Sequence, residues 1–143
     1  KGFLMKEKWI KWNPFSGLNK SYYMESIIES SDGLEIILTD SSSNVAHKEN
    51  KIRIRFNCRV TAYRNTDEAS RITLFESLSK QYGTDFYAKW KLFKVESSKY
   101  IEWLSKESGG YTDSLNLKHF VVIDDDSLLD IASMCDPEFE IIK

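Results

Sequence analysis

Four basic side chains at odd-numbered positions of one stretch are the strongest candidates for binding chemistry. They are Lys51, Arg53, Arg55 and Arg59. Odd-numbered residues of an extended strand point to one side, so the four would form a row able to grip a phosphate or an acidic partner. The alternative is a solvent-exposed sheet face in which these cations pair across strands with Glu25, Glu29 and Glu35. The paired face is the more usual arrangement, and the basic row remains the best candidate for a binding surface.

Neither nucleic acid nor a metal is predicted as a ligand. Sheets that bind single-stranded nucleic acid also carry aromatic side chains on the binding face, and only Tyr63 qualifies here. The turn Asp124-Asp125-Asp126, with Asp130 nearby, could attract Ca²⁺ or Mg²⁺. It lacks the alternating ligands and the central glycine of a calcium loop, and Asp is also a common turn residue. We therefore expect no metal and no other cofactor.

No catalytic motif stands out in the sequence. His47 and His119 have no second His or Cys at metal-ligand spacing, and the glycines form no nucleotide-binding pattern. No serine lies in a G-x-S-x-G turn. A Ser–His–Asp set can be chosen from distant residues of almost any chain, so its presence carries little information. The sequence thus predicts a protein that is not an enzyme.

Size and composition indicate a single globular domain over residues 1–143, with 41% hydrophobic and 29% charged residues. The net charge of −2 suggests no attraction to nucleic acid or membranes. Residues 1–64 hold 11 Lys and Arg against 7 Asp and Glu, whereas residues 65–143 hold 9 against 15. We expect the two halves to pack on each other; a polarised surface that meets a charged partner is the alternative.

The cysteines and the hydropathy pattern indicate neither a secreted disulfide scaffold nor a membrane span. Cys58 falls on the apolar side of a strand and is predicted to be a buried thiol, and nothing requires a disulfide with Cys135. No run of 18 apolar residues suggests a membrane span, and no signal-peptide pattern is visible.

The elements that must position these residues centre on the stretch Lys51–Arg64. Its even positions are apolar or small, and its odd positions are mostly charged or polar, which predicts a strand with one buried face. Strands average about five or six residues, so we expect a bend or bulge near Asn57. A helix should follow, capped by Asn65 with Glu68 three residues later, and should end at Gly83.

The remaining pattern predicts further strands and a second helix. The basic, aromatic N-terminal segment is expected to be a short helix or an irregular segment. The predicted strands are Tyr22–Glu29, Leu34–Thr39, about 88–95 and Leu117–Ile123. Leu128–Met134 could return as a strand or as a short helix, and Phe139–Ile142 could add one more edge strand. A helix over about 98–107 should begin at Ser97 or Ser98 and end at Gly109-Gly110. The fold class is therefore α+β: a curved, mainly antiparallel sheet of about six or seven strands, which could be barrel-like, with two helices packed on it.

Aromatic residues offer a second functional hypothesis. Phe86, Tyr87, Trp90, Phe93, Tyr100 and Trp103 could line a cavity in the sheet that binds a small molecule or a lipid. Packing in the core is the more usual role of such residues.

Several segments resemble a group of small Bacillus proteins encoded beside polymorphic toxins, the YxiG/YokJ-like group. The segments are Tyr63-Arg64-Asn65-Thr66-Asp67-Glu68, Trp90-Lys91-Leu92-Phe93, Ser98-Lys99-Tyr100 with Trp103, and His119-Phe120-Val121-Val122-Ile123 with Asp130-Ile131 and Pro137. The resemblance covers most of the chain, and its motifs are structural. It implies a cytoplasmic accessory or immunity protein that binds and blocks a toxin domain, and it supplies no site residues. Together with the missing catalytic motifs, it predicts a non-enzymatic protein-binding module.

Overall fold

The computed structural model describes residues 6–14, 21–41, 51–88 and 90–142. The predicted candidate His47 lies outside the described residues. Within them the chain forms nine strands and two α-helices, so the predicted α+β class is confirmed. The strands are β1 (Lys8–Lys11), β2 (Tyr22–Ser30), β3 (Gly33–Asp40), β4 (Lys51–Phe56), β5 (Ala62–Asp67), β6 (Leu92–Glu96), β7 (Lys118–Ile123), β8 (Ser127–Ser133) and β9 (Glu138–Ile142). The helices are α1 (Ile72–Tyr82) and α2 (Lys99–Glu107).

The strands form two antiparallel sheets rather than the single sheet expected from the sequence. The five-stranded sheet has the order β1-β6-β7-β8-β5, and the four-stranded sheet has the order β2-β3-β4-β9. The sheets do not close into a barrel. The number of strands exceeds the expected six or seven because the N-terminal segment and the end of the long Lys51–Arg64 pattern each contribute a strand.

Two layers of apolar side chains hold the fold together. Between the sheets, the fully buried Phe56 and Phe120 meet edge to face with ring centroids 5.4 Å apart. On the other side of the five-stranded sheet, Phe75 and Leu78 of α1 pack on a cluster that includes Phe93. Burying each such side chain contributes roughly 1.5–3 kcal/mol. The five-stranded sheet is therefore the middle layer, with the four-stranded sheet on one side and helical segments on the other.

The stretch Lys51–Arg64 is not one strand. It is interrupted at 57–61, where the chain leaves the four-stranded sheet after Phe56 and enters the five-stranded sheet at Ala62. The expected irregularity near Asn57 is therefore present. The alternating pattern runs through the break because Val60 in the connection still points into the core, where it is 5% exposed.

The first helix begins later than predicted. Asn65 pairs with Leu129 inside the β5–β8 ladder, so it does not cap a helix. The strand continues to Asp67, and a 3₁₀ turn over Glu68–Arg71 precedes α1. The predicted end is confirmed: the Gly83 N–H donates to the Ser79 carbonyl oxygen at 2.9 Å, with a φ of 101° that favours glycine.

A disulfide joins Cys58 to Cys135, so the prediction of a free buried thiol at Cys58 was wrong. Cys58 lies where the chain crosses from the four-stranded to the five-stranded sheet, and Cys135 lies where it crosses back between β8 and β9. The sequence signal was weak because the two residues are 77 positions apart. Only the two crossings, running side by side, bring them together.

Candidate functional site

The predicted basic row lies on the outer face of the four-stranded sheet and is largely paired within it. Lys51 Nζ is 2.9 Å from a Glu25 carboxylate oxygen, and Arg55 Nη2 is 2.9 Å from Glu35 Oε2. Arg53 bridges Glu35 and Glu140. Within the first pair, Lys51 lowers the pKa of Glu25 and Glu25 raises the pKa of Lys51; Glu35 raises the pKa of Arg55.

The basic row and its acidic partners form an ion-pair ladder on this face. Its acids differ in part from those expected. Glu29 lies off the ladder and accepts a hydrogen bond from the Tyr63 hydroxyl at 3.4 Å. Strand β9 instead supplies Glu140 and also Glu138, which accepts from Asn57 Nδ2 at 2.7 Å. Arg59 is exposed, and no acid within the described parts of the chain pairs with it. The ladder is thus close to neutral and is not a continuous basic surface.

The acidic turn after β7 has a structural role. Asp124 Oδ1 accepts from the backbone N–H groups of Asp126 and Ser127 at 2.9 and 2.8 Å, and its Oδ2 accepts from the Met24 N–H at 2.9 Å. These bonds close the turn and connect it to β2 of the other sheet. No three His, Cys, Asp or Glu side chains in the described ranges are placed to hold a metal ion.

The most unusual site is a buried polar cluster on the helix-facing side of the five-stranded sheet. We call it the Asp130 cluster; its members are Arg64, Arg71, Ser98, His119 and Asp130. Asp130 Oδ1 is 2.7 Å from His119 Nε2, and Asp130 Oδ2 is 2.7 Å from Arg64 Nε and 2.8 Å from Arg71 Nη1. His119 Nδ1 is 2.8 Å from Ser98 Oγ. Strand pairing makes this possible, because Arg64 lies directly opposite Asp130 in the β5–β8 ladder.

The cations keep the buried carboxylate ionised. Asp130 is fully buried, which alone would raise its pKa; His119, Arg64 and Arg71 outweigh burial and lower the pKa to about 2. Two arginines meet this single carboxylate, so the cluster carries an excess of positive charge. That excess faces solvent through Arg64, whose side chain is 42% exposed.

Ser98, His119 and Asp130 form the hydrogen-bonded chain of a hydrolytic triad, but their other contacts favour a structural role. Ser98 Oγ accepts from the Ile101 N–H at 3.1 Å and so caps the N-terminus of α2. The backbone N–H next to this serine, that of Lys99, is not free to bind a substrate oxygen, because it already donates to Glu7 Oε2 at 2.8 Å. Asp130 uses its second oxygen for two arginines. These three residues therefore fix α2 on the sheet. Ser98 and His119 also line a groove of about 690 Å³ between α2 and strands β1 and β6.

Above the Asp130 cluster lies an exposed aromatic and cationic surface, the α2 patch, formed by Arg64, Tyr100 and Trp103. The Arg64 guanidinium carbon is 4.2 Å from the centre of the Tyr100 ring. The Trp103 ring is nearly parallel to that of Tyr100, with centroids 6.2 Å apart. Tyr100 is 5% exposed, whereas Trp103 is 53% exposed. Burial of Tyr100 raises its pKa, against the opposing effect of Arg64.

The other aromatic residues considered as cavity walls pack against one another. Phe86 stacks on Tyr82 and contacts Phe93, with centroids 4.3 and 4.8 Å apart. Tyr87 contacts Phe75 of α1 at 4.7 Å, and the Trp90 indole N–H donates to the Trp12 carbonyl at 3.0 Å. These side chains fill the space beside α1. They therefore have the core-packing role that was the alternative to lining a ligand cavity.

The structure brings together residues that are far apart in the sequence. The basic row was visible as an alternating pattern, whereas the Asp130 cluster and the α2 patch depend on the β5–β8 and β7–β8 pairings. The only local signal for them was the helix cap at Ser98. No protein-family model, curated protein or solved structure matches the chain.

Proposed function

We propose that this protein is a non-enzymatic protein-binding module, of the immunity type that blocks a partner toxin. The observation that carries the proposal is the α2 patch. An exposed Trp103 lies beside a stacked Tyr100 and Arg64, and Trp, Tyr and Arg are the residues most enriched among those that dominate binding energy at protein interfaces.

The patch is held rigid from below. Arg64 is held at its Nε by Asp130, and its guanidinium carbon lies over the Tyr100 ring, 4.2 Å from the ring centre. Helix α2 is capped by Ser98, which His119 contacts in turn. Side chains that are ordered before binding lose little conformational entropy on association, so a larger part of the contact energy contributes to affinity.

The partner class rests on the resemblance to proteins encoded beside toxin genes, and a cytoplasmic location is part of the same proposal. No described helix combines the length and apolar character needed to cross a membrane. The disulfide is a reason to test the location, because structural disulfides are rare in the cytosol.

Small-molecule binding is the second candidate, and the groove beside α2 favours it. Its volume of about 690 Å³ is within the range of ligand sites. Its apolar floor is aliphatic, with Ile10, Ile101 and Leu117, rather than aromatic as the sequence suggested. A ligand there would protect the protein against thermal unfolding, and Ile101→Glu would abolish that protection.

Co-expression with toxin domains from neighbouring genes tests the proposal. We expect a complex with one of them, with Trp103→Ala weakening its affinity by about tenfold or more, as for a central interface aromatic. Ile28→Ala is the matched control, because Ile28 is 51% exposed but lies on β2 of the other sheet. Failure to form a complex with any neighbouring toxin domain would contradict the proposal.

A further inference from the structure

We propose that Arg64 recognises a carboxylate of the partner protein, an Asp or Glu side chain, while Trp103 covers an apolar residue next to it. The inference rests on the proposed protein-binding function and specifies the chemistry of the partner. It concerns a residue that the alternating basic row did not include.

The first argument is the geometry of the Arg64 side chain. Its Nε is bound to Asp130 Oδ2 at 2.7 Å, and its guanidinium carbon lies over the Tyr100 ring. Within the described ranges its ion pairing is with Asp130 through Nε, which leaves the two terminal nitrogens without an acid. Arginine binds carboxylates through two parallel N–H donors, and here those donors are already oriented at a partly exposed position.

The second argument is the local charge. Arg64 and Arg71 share the single carboxylate of Asp130, and His119 adds no negative charge. A carboxylate from the partner would neutralise the remaining positive charge at a site that binding removes from water. Charge pairs are stronger in such surroundings than on an open surface, where water and salt screen them.

The third argument separates a carboxylate from a phosphate polymer. The Asp130 cluster offers only one well-exposed cation, because the Arg64 side chain is 42% exposed and that of Arg71 only 18%. Nucleic acid binding needs several cations along its backbone. A single oriented arginine next to an exposed indole ring instead fits one acidic side chain flanked by an apolar one.

The experiment is a selection from a displayed library of random twelve-residue peptides on the wild-type protein. We expect the enriched peptides to share an Asp or Glu beside an apolar residue. Arg64→Lys, which keeps the charge but loses the planar fork, should weaken their binding by about tenfold or more. Arg55→Lys is the matched control and should have no effect, because Arg55 is similarly exposed, at 48%, but pairs with Glu35 on the four-stranded sheet.

A second measurement does not depend on the folding of a variant. In the wild-type protein labelled with ¹⁵N-arginine, acetate should shift the Arg64 Nε–H resonance more than chloride does at equal ionic strength. Enriched peptides without an acid, or acid-containing peptides that bind Arg64→Lys equally well, would overturn the carboxylate inference and leave protein binding intact. No enrichment together with no acetate response would count against both.

Discussion

At the scale of single residues, Asp130 organises the surroundings of both helices. One carboxylate joins Arg64 of β5, Arg71 before α1 and His119 of β7, and through His119 it reaches the cap of α2. A buried charge is tolerated only when its partners offset the cost of removing it from water. Removing any one partner therefore affects several elements at once.

The Asp130 cluster predicts a specific loss of stability in acid. Asp130 has a pKa of about 2 in the folded chain, below the value of about 3.9 expected after unfolding. A lowered folded pKa stabilises the native state above the unfolded pKa, and this stability is lost as the pH falls from about 5 toward 2. Urea unfolding at pH 6 and pH 2 should show a loss of about 2 kcal/mol that Asp130→Asn does not show.

The control for this measurement is Asp136→Asn. Asp136 pairs at 2.9 Å with Lys118 on the surface, where both side chains are more than half exposed. Such pairs contribute between about 0 and 1 kcal/mol, so this variant should keep the pH dependence of the wild type. An Asp130→Asn protein with the same acid sensitivity as the wild type would contradict the assigned pKa.

At the scale of elements, the sequence predicted what local patterns determine. The β2–β3 hairpin, α2 with its Ser98 cap, and strand β7 were all visible, because alternation, capping and glycine stops are local signals. The cap signature at Asn65 was misleading because pairing with β8 satisfies the same backbone groups in a strand. Tertiary contacts overrode the local preference there.

The candidate site was predictable only in part for the same reason. The basic row and its pairing followed from alternation along β4. The contact between Arg64 and Tyr100 depends on the packing of α2 against β7, where Tyr100 meets His119 edge to face, and on the pairing of β7 with β8 and of β8 with β5. No spacing in the sequence reveals this. An irregularity near Asn57 was expected from the length of the pattern, but the change of sheet at 57–61 was hidden, since the connecting residues continue the apolar pattern.

Gly33 gives a test of how β3 meets β4. Its φ is 135°, and a Cβ placed there would lie 1.9 Å from the carbonyl oxygen of Phe56. Gly33→Ala should therefore disrupt the start of the β3–β4 ladder as well as strain the backbone. Gly83→Ala is the control, because Gly83 also has a positive φ, 101°, but open space around it.

The two alanine variants separate a backbone clash from backbone strain. Gly83 has a φ of 101° and a ψ of 158°, and strain alone in this region costs a residue other than glycine about 1–3 kcal/mol, which is the loss expected for Gly83→Ala. We expect Gly33→Ala to lose at least about 2 kcal/mol more in urea denaturation, because the clash is with a backbone atom that cannot rotate away. Equal losses for the two variants would show that β4 moves aside without cost.

At the scale of the whole molecule, the two outer surfaces have different roles. The four-stranded sheet presents charges that pair with one another, which stabilises an exposed sheet face without leaving a large net charge. The helical side presents Arg64, which is bound to the buried Asp130, and Trp103, which is exposed to solvent. A partner would therefore gain more binding energy from contact with the helical side, where hydrogen-bond donors and apolar surface are still available.

The two sheets are joined covalently where the chain crosses between them, and this predicts the largest single effect on stability. The disulfide links residues 77 positions apart, and closing a loop of that length in the unfolded chain corresponds to about 4 kcal/mol. Reduction with dithiothreitol should lower the free energy of unfolding by roughly that amount, and the double variant Cys58→Ser/Cys135→Ser should be equally weakened but insensitive to the reductant. A wild-type protein unaffected by dithiothreitol would contradict a structural role for the bond.

Alkylation of free thiols in intact cells then relates this stability to location, because a chain found reduced in the cytosol would have to function without the contribution of the disulfide.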